Sequence, residues 1–357
     1  MILIIIALIL VLYCTELWSI RNAMTGIRYR SNCSKILVEP DAEFDLISTI
    51  SNRSRRFVPF IGLEEILPSE ATVHMENAVL RRTHTLELRL ISSAYLMPKS
   101  SLERRVSLSL PARGKYLFLG ANLRIGDFLG LRESGESFSS MNEIVVYPKV
   151  VPKPDVNDML GGFLGEISAR RYILEDPVLA IGAREYTGRE PMKNISWNHS
   201  ARLGRLMVRQ FDYTIEPSVS VMLDINASPE AENASELIES CFSLARSVCM
   251  ILEEKSIRYD FITNATTANA ISRWSYMAEG QGSRHYYAIL EGLGRASLRA
   301  FESFSSTITR IVGKQEQNKA TIIITPDRNA EKRRLADRLQ NQNGGKAVFL
   351  YGEDVAT

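Results

Sequence analysis

The feature that most constrains this chain is a change in the period of its apolar residues. Between residues 33 and 150 they alternate with polar ones, as in "FDLISTIS", "THTLELRLIS" and "RRVSLSLPARGKYLFLGANLRIGDFLGL". A period of two with turn signals at short spacing buries one side of each strand and predicts a β-sandwich. Gly114 in "ARGKY" and Gly126 in "RIGDF" suit its turns. From residue 218 short apolar runs alternate with helical stretches. "SVSVMLDIN" is followed by "SELIESCFSLARSVCMILEEKS", whose Leu237, Ile238, Cys241, Phe242, Leu244, Ala245, Val248, Cys249 and Leu252 share one helix face, with Ser235 as expected N-cap. "IRYDFITN", "ATIIITP" and "KAVFLYGED" predict further strands, and "SRHYYAILEGLGRASLRAF" and "AEKRRLADRLQNQ" predict helices. Apolar strands between helices predict a parallel sheet covered by helices. "VVPKPDVNDMLGGFLGE", at 150–166, reads as a connector.

The chain's 357 residues suit two domains of about 100–200 residues each. A net charge of +2 gives no bulk electrostatic case for nucleic acid, so basic residues are judged locally. Cysteines 14, 33, 241 and 249 form no CxxC pair, and the four histidines form no HExxH or Cys/His cluster, which argues against zinc. A reduced, cytoplasmic setting fits this cysteine usage. The first fourteen residues, "MILIIIALILVLYC", are uncharged and almost wholly apolar. Residues 1–20 reach spanning length with Glu16 and Trp18 at the interface, and predict a single transmembrane anchor. A cleaved signal peptide would want a basic n-region and a small-residue cleavage site, which this segment lacks. Arg21, Arg28, Arg30 and Lys35 follow the apolar run and none precedes it, which places the later domains in the cytoplasm.

Two stretches carry candidate chemistry. Ligands of open α/β sheets bind at the carboxyl ends of the strands. There the sequence offers Asp224, Asn226 and Ser228, then Thr263 and Asn264, then Thr325 and Asp327, with Ser283 opening a helix after Gly282. Oxygen donors gathered in this way suit a hard cation such as Mg2+. The D-x-S-x-S arrangement of metal-ion-dependent adhesion sites has the same logic, with Asn226 here in place of the middle serine. Asp224, Asn226, Ser228, Ser283 and Asp327 are therefore the candidate ligands. The competing reading makes them helix caps and turn residues. The second stretch is "REYTGREPMKNISWNHSARLGRLMVRQFD", residues 184–212. Its aromatic interleaving is too sparse for nucleic acid, and Ser196, His199 and Ser200 lack a buried carboxylate partner for hydrolysis. It reads as structural, with Ile195 and Trp197 packed and the arginines paired with Glu185, Glu190 and Asp212. "GRLMVRQF" is then a strand beside the sheet.

That stretch resembles the hallmark of domain-of-unknown-function family 58. Arg184, Tyr186, Gly188, Ile195, Trp197, Ser200, Ala201, Arg202, Leu206 and Val208 stand in matching places, with Arg189 as an extra residue. Glu190 takes the place of the usual Asp, and Lys193 that of an Arg whose bidentate fork it cannot reproduce. "NRSRR", "RGKY", "GDFLGL" and "VVYP" are similar to further family features, so the resemblance covers essentially the whole chain. Family members often carry two N-terminal helices in a hairpin, where this chain shows one. The resemblance implies an α+β architecture: a transmembrane helix (1–20), an immunoglobulin-like β-sandwich (27–150), a connector with the family motif (151–217), and an α/β von Willebrand factor type A-like, Rossmann-like domain (218–357). It implies a prokaryotic, membrane-bound and non-enzymatic scaffold for protein binding, with a MoxR-type AAA+ ATPase as partner. The alternatives are an extracytoplasmic metal-dependent adhesin and, last, a hydrolase.

Overall fold

The computed structural model describes Tyr13 and residues 24–75, 78–82, 87–126, 132–170, 180–188, 190–211, 218–228, 233–267, 275–312, 319–343 and 345–355. The expected anchor apart from Tyr13, Arg21, residues 127–131 of "GDFLGL", Arg189 and Asp212 lie outside them. Among the described residues no helix is long and apolar enough to cross a membrane. The chain divides into two compact units. One comprises residues 1–149 with Leu293–Arg295, and the other comprises Val150–Gly292 with Ala296–Thr357.

The first unit is a β-sandwich. Its strands are β1 (Ile27–Cys33), β2 (Leu37–Val38), β3 (Phe44–Asn52), β4 (Val58–Pro68), β5 (Thr72–Val73), β6 (Val79–Arg82), β7 (Glu87–Leu96), β8 (Ser101–Ser109), β9 (Gly114–Gly126) and β10 (Glu133–Val146). One sheet has the order β1-β3-β8-β5, the other β2-β10-β9-β4-β7-β6. Strict alternation along β3 turns Phe44, Leu46, Ser48 and Ile50 inward. Across from them β4 presents Leu63, Glu65 and Leu67. The apolar members join two separate clusters, one around Phe44, Leu46, Leu67 and Phe118, the other around Ile50, Ile61, Leu63 and Leu123. Ser48 and Glu65 stand in the alternation between them. The turn in "NRSRR" is held by buried Asn52, whose Nδ2 donates to the carbonyls of Arg56 (2.7 Å) and Met97 (3.0 Å). Gly120 sits at a φ of +121° beside the irregularity in the β9–β10 ladder. A Cβ there would lie 2.1 Å from the Phe138 carbonyl oxygen, so the ladder requires glycine.

The second unit begins with two helices where a connector was expected, α1 (Lys153–Leu160) and α2 (Phe163–Arg170). Proline in the first turn of α1 is compatible with a helix, because the missing N–H has no intrahelical partner there. The family-motif stretch forms a separate ribbon rather than a strand of the main sheet. In it β11 (Ala180–Glu185) pairs antiparallel with β12 (Met207–Phe211), and α3 (Trp197–Leu203) lies between them in sequence.

The remaining elements are β13 (Ser218–Leu223), α4 (Ala234–Glu254), β14 (Arg258–Thr263), β15 (Ala265–Thr267), β16 (Tyr276–Gly280), α5 (Ser283–Arg295), β17 (Ala296–Ala300), α6 (Phe304–Val312), β18 (Ala320–Thr325), α7 (Ala330–Asn343) and β19 (Ala347–Tyr351). The main sheet has the order β16-β14-β13-β18-β19, and all its pairs are parallel except β14–β16. Consecutive strand residues point to opposite faces. Met222, Ile262 and Ile323 meet Phe304, Ile308 and Ala336 on one face, while α4 lies against β13, β14 and β18. Two expectations are corrected here. Asn233, not Ser235, is the N-cap residue of α4. The helix expected over 283–301 ends at Arg295, and the next five residues form β17, which pairs with β15. The antiparallel edge strand β16 was not foreseen.

Candidate functional site

The strand order reverses at β13. The connection through α4 leads to β14 on one side, and the later strands β18 and β19 lie on the other. Such a reversal opens a crevice at the carboxyl ends of the strands. Asp224 is the first residue beyond β13. Its amide donates to the Ile324 carbonyl at 2.8 Å, and its side chain is fully buried. Oδ1 accepts from the Asn226 amide (3.1 Å) and Asn264 Nδ2 (2.6 Å). Oδ2 accepts from the Thr325 hydroxyl (3.0 Å) and from Lys332 Nζ (2.8 Å). Four donors therefore satisfy one buried carboxylate, as its desolvation demands.

Lys332 lies in the first turn of α7. Its Nζ donates to Asp224 Oδ2, to the Thr325 hydroxyl (2.8 Å), to Asp327 Oδ1 (3.2 Å) and to the Asn226 carbonyl. Asp327 Oδ2 accepts from the Ser228 amide at 2.7 Å. Burial pushes the Asp327 carboxyl up, but the Ser228 hydrogen bonds and the Lys332 charge outweigh this and hold it below its ordinary value. The Phe304 ring closes over the ammonium, 5.8 Å from it. The network continues through Glu302, whose carbonyl accepts from Asn226 Nδ2 (3.1 Å) and whose carboxylate pairs with Arg310 (2.6 Å).

Of the five expected metal ligands, Asp224, Asn226, Ser228 and Asp327 come together and Ser283 does not. Ser283 opens α5, but the preceding Gly282 amide donates to Glu253, near the C-terminal end of α4. That is the end of the sheet where β14 begins, opposite Asp224. Asn226 turns its side-chain amide to Glu302 and offers the centre a backbone carbonyl instead. The residues present do not fit a divalent cation, because the point on which the oxygens converge is taken by an ammonium. Among the described residues no group of three or more His, Cys, Asp or Glu side chains is arranged to hold a metal.

Lys332 was missed in the sequence because it sits in the charged run "AEKRRLADR", which reads as solvated. Its signal was the spacing. Leu335 and Ala336 follow at i+3 and i+4 and face the core, so position 332 shares their stripe.

In the family-motif stretch the residues divide into buried and exposed sets. Ile195 and Val208 are buried and bridge each other. Ser200 is buried, its hydroxyl donating to the Ser196 carbonyl (2.9 Å) and accepting from the Met207 amide (2.8 Å), which pins α3 to β12. The Tyr186 amide donates to the Leu206 carbonyl at 2.9 Å. Gly188 holds a φ of +87° in the turn. Arg184 pairs with Glu190 at 2.7 Å and Arg205 with Glu185 at 3.2 Å. The Thr187 hydroxyl first, then backbone amides and the Arg184 hydrogen bond, hold the Glu190 carboxyl down to about 2 against the opposing effect of burial. Trp197, expected to pack, is instead 63% exposed, and Lys193, Ala201, Arg202 and Leu206 are exposed with it. The Ser196 hydroxyl and His199 Nδ1 lie 2.9 Å apart, yet among the described residues no carboxylate is bonded to His199 to orient it.

The sandwich holds a buried charge at Glu65, a position that strand alternation would fill with an apolar residue. Glu65 accepts from the Ser48 hydroxyl, the Tyr29 phenol (3.1 Å) and Arg104 Nη1 (3.3 Å). Arg104 also donates to the Ser92 hydroxyl at 2.6 Å. Burial, and then the Glu65 charge, push the Tyr29 phenol up.

No family model and no curated protein sequence matches the chain. Among solved structures it is similar to the CARDB domain of a Pyrococcus furiosus protein in complex with di-metal ions, at 12% identity and a TM-score of 0.22, over 34% of this chain and 91% of that one. A non-cellulosomal cohesin from Archaeoglobus fulgidus matches at 11% identity and a TM-score of 0.23, over 38% of this chain and 97% of its own. A Nocardia farcinica protein with an immunoglobulin-like fold matches at 11% identity and a TM-score of 0.23, over 33% and 96%. Likenesses at this level carry no weight for function, and the sandwich stands on its own strand pairing.

Proposed function

We propose that this protein is a membrane-anchored, non-enzymatic scaffold. In this reading residues 1–20 anchor it, both units face the cytoplasm, and the second unit is a von Willebrand factor type A-like domain that recruits a MoxR-type AAA+ ATPase. The observation that carries the reading is the order β16-β14-β13-β18-β19, with one antiparallel edge and a buried aspartate just beyond the central strand. A sheet of this kind gathers polar groups where its order reverses, and that edge is where such folds meet ligands. The basic residues after the apolar segment support the orientation.

Two experiments test it. A fluorescent reporter that needs the cytoplasm, fused after Thr357, is expected to light up, and a dark fusion at normal expression overturns the orientation. Capture of the tagged full chain from solubilised membranes is expected to enrich a MoxR-type ATPase over an untagged control, and to lose it when the strand-end edge is disrupted by Asp224→Ala. Equal recovery from both strains removes the adaptor role.

A further inference from the structure

We infer that the Lys332 ammonium is a built-in replacement for a divalent cation, so that the strand-end edge assembles without added metal. Its geometry is that of a coordination centre. Asp224 Oδ2 and the Thr325 hydroxyl each lie 2.8 Å from Nζ, Asp327 Oδ1 lies 3.2 Å away, and the Asn226 carbonyl completes the set. These four oxygens come from the end of β18, the loop after β13 and the loop before α7, which are the places a cation between strand ends would draw on. The ammonium has three protons for four acceptors. No proton is left to point at a partner, so the centre is closed, whereas a metal would keep an open position for a partner's carboxylate.

The location of Lys332 makes the arrangement specific. It occupies the first turn of α7, where the helix dipole disfavours a cation. Asn329, just before the helix, caps it through an Oδ1 that accepts from the Glu331 amide at 2.8 Å. A lysine at this point is held by the two carboxylates rather than by the helix. Lys332 neutralises one of the two negative charges of Asp224 and Asp327, and the other is met by hydrogen bonds from the Asn226 and Ser228 amides and Asn264 Nδ2. A divalent ion brought to the same oxygens would first have to expel the ammonium.

Removal of the lysine side chain is therefore expected to create a cation site. The same four oxygens would need to close in by up to ~1.2 Å to reach metal-ligand distances, with water completing the shell. This inference concerns the cation alone and stands whether or not an ATPase is the partner. Binding of Mn2+ to the purified full chain, read by electron paramagnetic resonance, tests it. Wild type and Asp224→Asn are expected to bind the same amount of Mn2+. Lys332→Ala is expected to bind one more ion per chain, lost again in the Lys332→Ala, Asp224→Asn double variant. A wild-type Mn2+ site that Asp224→Asn abolishes overturns the inference, as does a folded Lys332→Ala chain with no added ion.

A second measurement needs no variant. Amine-reactive labelling of the wild-type chain, read by mass spectrometry, is expected to spare Lys332 with and without Mn2+ while modifying the half-exposed Lys153. Labelling of Lys332 at the rate of Lys153, or its appearance when Mn2+ is added, means that the ammonium does not hold the centre.

Discussion

Glu65 in the sandwich and Asp224 in the second unit are both buried carboxylates set against a cation and a hydroxyl, and the two differ in how they come by these partners. Glu65 lies in the middle of β4, and its partners Tyr29, Ser48 and Arg104 are all strand residues. Asp224 lies beyond the end of β13, and its partners come from loops, from the last residue of β18 and from the start of a helix. The first cluster interrupts an apolar core at a fixed place in the strand alternation, which a one-residue slip of β3 or β4 would expose. It ties the two sheets together. The second sits where strand order reverses and closes a crevice that would otherwise be open. A mid-strand cluster serves the fold, whereas a strand-end cluster stands at the edge where sheets of this kind meet ligands.

The largest expected effect comes from breaking the second cluster. Asp224→Ala leaves a 9% exposed ammonium without its nearest carboxylate, and is expected to destabilise the second unit by about 3–5 kcal/mol. Urea denaturation followed by circular dichroism measures this, and an unchanged midpoint would show that the pair contributes nothing. Glu65→Ala is the matching change in the sandwich. Arg104 keeps its Ser92 partner and is 17% exposed, so water reaches it. The expected loss is therefore smaller, about 1–3 kcal/mol. A Glu65→Ala loss equal to that of Asp224→Ala would erase the distinction between the two clusters.

A carboxylate outside both clusters sharpens the contrast by titration. The folded Glu190 carboxyl lies at about 2, below its ordinary 4.5. A lowered folded value means that its stabilising contribution is full above about 4.5 and is lost as pH falls through about 2. Carbon-detected NMR of the Glu190 side chain is expected to give a midpoint near 2, and a midpoint at 4.5 would mean that the Thr187 and Arg184 contacts do not persist in solution. The smallest effect is expected at Trp197. With its ring in solvent, Trp197→Ala should change stability by under ~0.5 kcal/mol. A loss of several times that amount would mean that the ring is covered after all.

Much of the architecture was legible in the sequence, for a local reason. Alternation in "FDLISTIS" places Phe44, Leu46 and Ile50 on one face whatever they pack against. Apolar runs such as "ATIIITP" have room for nothing but a strand buried on both faces. The site was half legible. Asp224 and Asp327 could be assigned to strand ends because the ends of β13 and β18 follow from local pattern. Ser283 could not be excluded, since its place depends on β16 running antiparallel, a pairing that no local signal announces. Trp197 was expected in a core because large aromatic side chains are usually buried, yet α3 is fastened by the small Ser200 instead.

The amino-acid sequence alone determined the two periodicities, the main strands and helices that follow from them, and the residues available at each strand end. These follow from side-chain spacing over a few residues. The tertiary structure alone decided which sheet neighbours meet, which end of the sheet each polar residue reaches, and that Lys332 fills the centre Asp224 and Asp327 surround. Those outcomes depend on residues about a hundred positions apart, brought together by parallel pairing. A charge on a helix looks solvated until the fold sets two carboxylates against it.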